Sequence, residues 1–276
     1  MKATINKIIN FSNVDGPFNV TAIFFQGCNY NCWFCHNPET INKCLNCGDC
    51  VKTCPSKALS MVDNKVVYDQ SKCVDCDACI HTCKHSSSPK TNEYDVDQLM
   101  KVIEKNKFFI KGITVSGGEC TLNEQFLIEL FSRAQKLGLK CLIDSNGSLD
   151  FEKHQELLNV CDGVMLDVKA SDDDFHQRLT NFSNKIVLKN LSYLLSVNKL
   201  LEVRTVVLND QSNNIKTVND VLDIISDQVD YKLNIYRPFG VSEQGKLLCG
   251  DDIISDDIVN ELLALMKDKP NKIVIR

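Results

Sequence analysis

No stretch of these 276 residues is apolar enough to suggest a membrane span. The longest uncharged run, Gly16 to Pro38, carries Asn19, Gln26, Asn29, Asn31 and Asn37, and amides at that density oppose burial in hydrocarbon. The start, MKATINKIINFSNVDGP, has no apolar h-region and no small-residue cleavage site, so a cytoplasmic protein is expected. An excess of basic charge is lacking too. Lys and Arg number 31 against 36 Asp and Glu, a net charge of −5, which argues against a nucleic-acid-binding face. Nor is the composition biased towards disorder or collagen: 43% of residues are hydrophobic and 24% charged, enough to bury a core.

What the chain has in excess is cysteine. Eleven of its 15 cysteines lie between Cys28 and Cys83. Disulfide scaffolds reach such densities, but they are short secreted chains, and in a reducing compartment clustered thiols are expected to bind metal. Cys44, Cys47, Cys50 and Cys54 read C-x2-C-x2-C-x3-C followed by Pro55, and Cys73, Cys76, Cys79 and Cys83 repeat the spacing with Lys84 in place of the proline. This is the bacterial-ferredoxin run for two [4Fe–4S] clusters, in which the fourth cysteine of each run ligates the other cluster. One cubane is therefore expected on Cys44, Cys47, Cys50 and Cys83, the other on Cys73, Cys76, Cys79 and Cys54. A zinc ribbon, built from paired C-x2-C units, leaves the third and fourth cysteines of each run unexplained.

The first group, Cys28, Cys32 and Cys35, reads C-x3-C-x2-C and has no fourth member. Three thiolates on a cubane leave one iron able to bind a small molecule. Catalytic zinc also keeps an open position beside three protein ligands; the unequal spacing and the neighbouring cubane motifs favour iron.

Outside the cysteine-rich insert, short apolar runs alternate with helical periodicity, as in a βα repeat. Strands are expected at 21–25, 112–115, 140–144, 163–168, 201–208 and 232–236, and helices at 97–107, 123–137, 151–160, 185–197, 215–227 and 251–266. Six such units suit an α/β fold of the partial (β/α)6 TIM-like barrel type, whose active site collects at the C-terminal strand ends. The barrel is expected over 1–39 and 92–276, with a ferredoxin-like insert over 40–91 leaving through a flexible polar Ser86-Ser87-Ser88-Pro89 exit. The insert carries seven Lys and five Asp, a net +2 that could favour an acidic electron donor or be an ordinary mixed surface.

Several groups sit at the expected strand ends. In Ser116-Gly117-Gly118-Glu119 two glycines allow a ligand close to the backbone, and Glu119 can accept from a cationic amine, although a plain turn also fits. Asp144-Ser145 and Met165-Leu166-Asp167 end adjacent strands, where two carboxylates repel unless a cation lies between them. A salt bridge from Lys169 to one Asp is the alternative. Arg204 offers a rigid fork to a carboxylate. The Asp172-Asp173-Asp174 run fits a helix N-terminus. His81, His85, His154 and His176 have no partner pattern and are expected at the surface; Cys141, Cys161 and Cys249 are expected to be buried as small hydrophobes.

The string VDGPFNVTAIFFQGCNYNCWFCHNPET, with C-x3-C-x2-C inside it, resembles the radical S-adenosylmethionine (SAM) superfamily and, within it, the glycyl-radical enzyme activating enzymes. It departs at Phe18 and Val20, where the family usually carries glycine and arginine. The resemblance implies that Cys28, Cys32 and Cys35 hold the catalytic cluster and that Phe34 packs on adenine. His36 would shape the cluster's surroundings, and Gly117, Gly118 and Glu119 would hold the SAM amino group. Asp144, Ser145, Met165 and Asp167 would surround a monovalent cation; Lys169, Ser171, Asp172 and Asp173 would belong to the SAM shell. Arg204 would meet the SAM carboxylate, and Arg237 stands where the family places a histidine.

The implied function is reductive cleavage of SAM and abstraction of a glycine Cα hydrogen from a partner glycyl-radical enzyme. Three [4Fe–4S] clusters, a flavodoxin- or ferredoxin-like electron donor and a monomeric state go with it. Alternatives are radical chemistry on a small molecule or another peptide residue, and a non-catalytic iron–sulfur electron carrier. The carrier leaves the three-cysteine motif without a role.

Overall fold

The computed structural model describes residues 1–275 apart from 226, 228, 268, 270 and 271, with backbone alone for 272–275. It divides into two compact units, Met1–Asn29 with Asn37–Leu139, and Tyr30–His36 with Lys140–Arg276. Both are α/β, in agreement with the alternation of the sequence.

The first unit begins with β1 (Lys2–Ser12) and β2 (Val20–Phe25). The insert follows as α1 (Asp49–Thr53), β3 (Leu59–Val62), β4 (Lys65–Tyr68) and α2 (Ala78–Thr82). Then come β5 (Asn92–Asp95), α3 (Val96–Asn106), β6 (Gly112–Gly117) and α4 (Glu124–Lys136). The main sheet of this unit runs β6-β2-β1-β5, with β2 and β6 parallel and β1 antiparallel to both its neighbours. Parallel β2 and β6 need a crossover, and α3 supplies part of it; its start is fixed by a capping box, Asp95 accepting from the Gln98 amide while the Gln98 side chain accepts from the Asp95 amide. Leu99 and Ile103 of α3, and Leu127, Leu130 and Phe131 of α4, are fully buried, and Phe126 meets Phe25 of β2 edge-on at 6.0 Å.

Within the insert, β3 and β4 form a hairpin whose two turn residues, Asp63 and Asn64, both take positive φ (48° and 59°), the geometry such two-residue turns require. Its small core is Cys50, Leu59 and Cys79, packed by Val51, Cys54, Val66, Tyr68 and Ile80. The 86–89 exit differs from expectation. Ser87 and Ser88 are each only 2% exposed, and Asn42 donates to the carbonyls of Ser86 (2.9 Å) and His85 (3.0 Å), so this segment is held in place as the insert's closing strap.

The second unit contains β7 (Lys140–Ser145), α5 (Gln155–Asn159), β8 (Gly163–Asp167), α6 (Asp173–Thr180), α7 (Lys185–Ser196) and β9 (Leu200–Val207). It closes with α8 (Gln211–Ile224), β10 (Asp230–Ile235), α9 (Glu243–Cys249), α10 (Asp256–Met266) and β11 (Lys272–Ile275). Its strands are parallel, in the order β7-β8-β9-β10-β11, so their C-terminal ends share one edge. The expected helix over 151–160 is broken into a 3-10 turn at Phe151–Lys153 and the short α5, and the expected helix over 251–266 begins only at Asp256.

His176 is a correction to the surface reading. His81 and His85 are exposed, but His176 on α6 is fully buried, its Nδ1 2.7 Å from the Phe182 carbonyl and its ring 5.9 Å from Tyr30. Burial pushes its pKa below the ordinary 6.5. Cys141, Cys161 and Cys249 are buried as expected, and burial raises the Cys161 thiol to about 12 and Cys249 to about 11.

Candidate active site

In the first unit the approach to Cys28 is built from backbone. Gly27 takes φ 108°, its amide donates to the Thr40 carbonyl at 2.8 Å, and the Cys28 amide donates to the Ile41 carbonyl at 2.8 Å. Gln26, 3% exposed, adds two side-chain bonds, to the carbonyls of Glu39 (2.7 Å) and Asn42 (2.6 Å). Sequence reasoning gave Gln26 no role, although it stands two residues before the first cysteine.

The two glycines at the end of β6 have a steric reason. Gly117 takes φ 118°, and a Cβ on it would collide with the Phe25 backbone; a Cβ on Gly118 would collide with the carbonyl oxygens of Gly27 and Thr40. The Glu119 amide donates to the Gly27 carbonyl at 2.8 Å. The Gly-Gly-Glu segment and the loop leading to Cys28 therefore cross at backbone contact. The Glu119 carboxylate is buried and accepts from the Thr121 hydroxyl (2.6 Å) and amide (3.2 Å), capping the short 3-10 turn Cys120–Asn123. Cys120 is buried with its thiol on the Val115 carbonyl.

In the second unit, Cys32 and Cys35 lie on a loop tied to α6: the Asn31 amide donates to the Thr180 carbonyl (3.3 Å) and the Trp33 amide to the Leu179 carbonyl (3.0 Å). Tyr30 is buried and stacks on Phe182 at 4.8 Å, so it anchors this loop. Phe34 is 6% exposed, and the Lys169 ammonium lies 5.5 Å from its ring centre. His36 hydrogen-bonds the Arg237 backbone; desolvation lowers its pKa, that bond opposes the shift, and the Arg237 charge adds to it.

The ends of β7, β8 and β9 bring a charged cluster together. Register pairs Asp144 with Met165 and Asp167 with Arg204. Arg204 donates to Asp144 at 3.0 Å, to Glu202, and to the Met165 sulfur at 3.2 Å. Burial opposes its charge, and the carboxylates of Asp144, Glu202 and Asp167 outweigh that, so Arg204 holds its proton more tightly than an exposed arginine. Lys169 pairs with Asp167 at 2.8 Å, and Lys232 of β10 pairs with Glu202 at 2.5 Å. Glu202 and Lys232 had no place in the sequence reading. Both have the strand parity of Arg204, which is the signal that could have found them.

Three carboxylates thus face three cations. The repulsion between Asp144 and Asp167 is relieved by Arg204 and Lys169, and among the described residues no three His, Cys, Asp or Glu side chains are placed to hold a single metal ion. Ser145 is buried, and its hydroxyl accepts from the Gly147 amide at 3.0 Å. Asp172 and Asp173 are engaged locally: Asp172 caps α6 through the Phe175 amide (2.9 Å), and Asp173 accepts from the Asn184 amide (2.8 Å). The Ser171 amide donates to Thr217 at 3.1 Å.

In the insert, the eight cysteines are thiols distributed around two cavities. One is lined by Cys44, Cys47, Cys50 and Cys83, the other by Cys54, Cys73, Cys76 and Cys79. Each cavity therefore takes its fourth cysteine from the opposite run. Burial pushes the Cys50 thiol up to about 11, with the neighbouring thiols adding to it. Four thiols around each cavity fit the donor set of a [4Fe–4S] cluster.

The sequence pattern of the Radical SAM superfamily matches residues 22–221. The chain is 34% identical to the trans-4-hydroxy-L-proline dehydratase activating enzyme of Clostridioides difficile, over 69% of this chain and 68% of that one. The chain belongs to the radical SAM superfamily, among its glycyl-radical enzyme activating enzymes. Similarity extends to the pyruvate formate-lyase-activating enzyme of Streptococcus mutans, 26% identical over 86% of this chain and 78% of that one. The fold is shared with QueE from Escherichia coli, at a TM-score of 0.53 and 14% identity, covering 100% of this chain and 94% of QueE. As a radical SAM enzyme the chain works with a [4Fe–4S] cluster and SAM. Its cysteine-rich insert lies inside the matched segment and contributes no helix long and apolar enough to cross a membrane, nor does the rest of the described chain.

Proposed function

We propose that this chain activates a glycyl-radical enzyme, holding its catalytic [4Fe–4S] cluster on Cys28, Cys32 and Cys35. When bound there, the cluster supplies the electron that cleaves SAM to methionine and a 5′-deoxyadenosyl radical, which takes a hydrogen atom from a glycine Cα of the partner. The observation that carries this reading is the three-thiol motif, lying within the radical SAM match and followed by a Gly-Gly-Glu whose glycines allow only backbone contact with the Cys28 loop.

The chain's own residues have distinct parts in this reading. Gly117, Gly118 and Glu119 present carbonyls and a buried carboxylate to the SAM amino group. Phe34 offers its ring to the adenine, while Lys169, pinned between that ring and Asp167, keeps the ring in place. Arg204 would receive the SAM carboxylate in exchange for its bond to Asp144, and Asp144, Ser145, Met165 and Asp167 would take a monovalent cation beside it. Ser171, Asp172 and Asp173 position the loop after β8 through their backbone and capping bonds rather than by direct contact. Arg237 orients His36 through its carbonyl. Cys44, Cys47, Cys50 and Cys83 would hold a second [4Fe–4S] cluster and Cys54, Cys73, Cys76 and Cys79 a third, which would supply electron relay from a flavodoxin- or ferredoxin-like donor to a monomeric enzyme.

The test pairs the reconstituted, reduced protein and SAM with purified glycyl-radical enzymes of the dehydratase, lyase and decarboxylase classes served by its relatives. The reading expects a glycine-centred radical by electron paramagnetic resonance in one of them. SAM cleavage with no protein radical in any, accompanied by change in a small-molecule substrate, overturns it.

A further inference from the structure

The two halves of the insert are near copies in backbone and differ in where their charges stand. In the first run Asn46 and Gly48 take positive φ (59° and 82°), and in the second run Asp75 and Asp77 take the same positions (51° and 55°). The local bonds repeat as well: the Asn46 amide donates to the Cys44 sulfur at 3.4 Å, and the Asp75 amide to the Cys73 sulfur at 3.4 Å. The Thr53 and Thr82 hydroxyls of α1 and α2 meet at 3.0 Å between the halves. The departure from symmetry is electrostatic. Asp75 and Asp77 stand in the second run where the first has Asn46 and Gly48, while the first run places its carboxylate one position on, at Asp49.

Lys90 answers that departure. Its ammonium lies 2.7 Å from Asp77 and 3.3 Å from Asp75, and its side chain is 17% exposed although both partners are largely solvent-facing. It lines the cavity of Cys54, Cys73, Cys76 and Cys79, which Tyr68 also lines while hydrogen-bonding Cys73. The other cavity is lined instead by Asp49 and Lys84, and Lys90 takes no part in it. A surface ion pair would leave such a lysine free in water; here the stem is buried and the charge is directed at one cavity only.

Resting on the two-cluster reading of the insert, we infer that Lys90 sets the reduction potential of the cluster held by Cys54, Cys73, Cys76 and Cys79. Reduction adds one negative charge to a cluster. A fixed ammonium beside it favours the reduced form, whereas Asp75 and Asp77 disfavour it. Lys90 thus offsets the two carboxylates and keeps the cluster reducible by a low-potential donor. It acts through the cluster's surroundings and touches no reacting atom.

The experiment is a mediated redox titration of the full-length reconstituted chain, followed by electron paramagnetic resonance, with iron counted in each preparation. Lys90→Met is expected to shift one insert cluster, and only one, to a potential about 59 mV more negative, a roughly tenfold loss in its equilibrium constant for reduction. Lys90→Arg should stay near the wild type, and the double variant Asp75→Asn/Asp77→Asn should shift the same cluster in the positive direction. Two insert potentials unmoved in the Asp75→Asn/Asp77→Asn protein overturn the inference, even where Lys90→Met fails to hold iron. A wild type that binds only about four irons, instead of about twelve, overturns the two-cluster reading itself.

Discussion

At residue 118 a single hydrogen in place of a methyl group decides whether two backbone segments can cross. The Cβ of an alanine would overlap the Gly27 and Thr40 oxygens, which are backbone and have nowhere to yield. Gly118→Ala should therefore lower stability by about 1–3 kcal/mol, read as a drop in Tm; an unchanged melt would contradict the crossing. His176 offers a second test. Its ring is neutral and buried, donating to the Phe182 carbonyl, and its folded pKa lies below the ordinary 6.5. Below pH 6.5 the unfolded chain takes up a proton that the folded ring refuses, so stability is full above that pH and falls as the pH drops towards the folded value. His176→Gln should flatten the decline of Tm between pH 7 and pH 5, and equal slopes for the two proteins would refute the assignment. The cysteine groups stood out by their spacing, and the structure brings the eight insert thiols around two cavities as that spacing implied. His176, Glu202 and Lys232 were not legible: the burial of His176 and the pairing of Lys232 with Glu202 depend on elements distant in sequence, and Glu202 beside Arg204 is marked only by strand parity.

Among the elements, β2 and β6 to β10 were read from their apolar runs, as buried parallel strands should be. β1 escaped. It alternates only at its start, is exposed over much of its length, and carries two register shifts against β2. The four-residue β5, Asn92–Asp95, is polar and partly exposed, and α9 is short, so neither produced a periodic signal. The insert was legible in its cysteines and not in its exit, where Ser87 and Ser88 are buried by the segment at Asn42. Its cross-lined cavities make a prediction at this scale. Cys83→Ala should impair the cluster of the first run and Cys54→Ala that of the second, each variant retaining about eight irons. If Cys54→Ala and Cys83→Ala remove signals from the same cluster, the cross-ligation is wrong.

Taken whole, the chain carries a three-cysteine motif in its radical SAM segment and two cavities each lined by four cysteines. The acidic overall balance of −5 is offset locally, within the insert by Lys90 and at the strand ends by Arg204, Lys169 and Lys232. The role of Cys28, Cys32 and Cys35 is read out by the formation of 5′-deoxyadenosine from SAM in the anaerobically reconstituted, reduced, full-length protein. The wild type should give 5′-deoxyadenosine and methionine in equal amounts, and Cys32→Ala, with its insert clusters intact, none above background. Iron-loaded, reduced wild type that leaves SAM uncleaved, or Cys32→Ala that cleaves it as well as the wild type, would contradict that role.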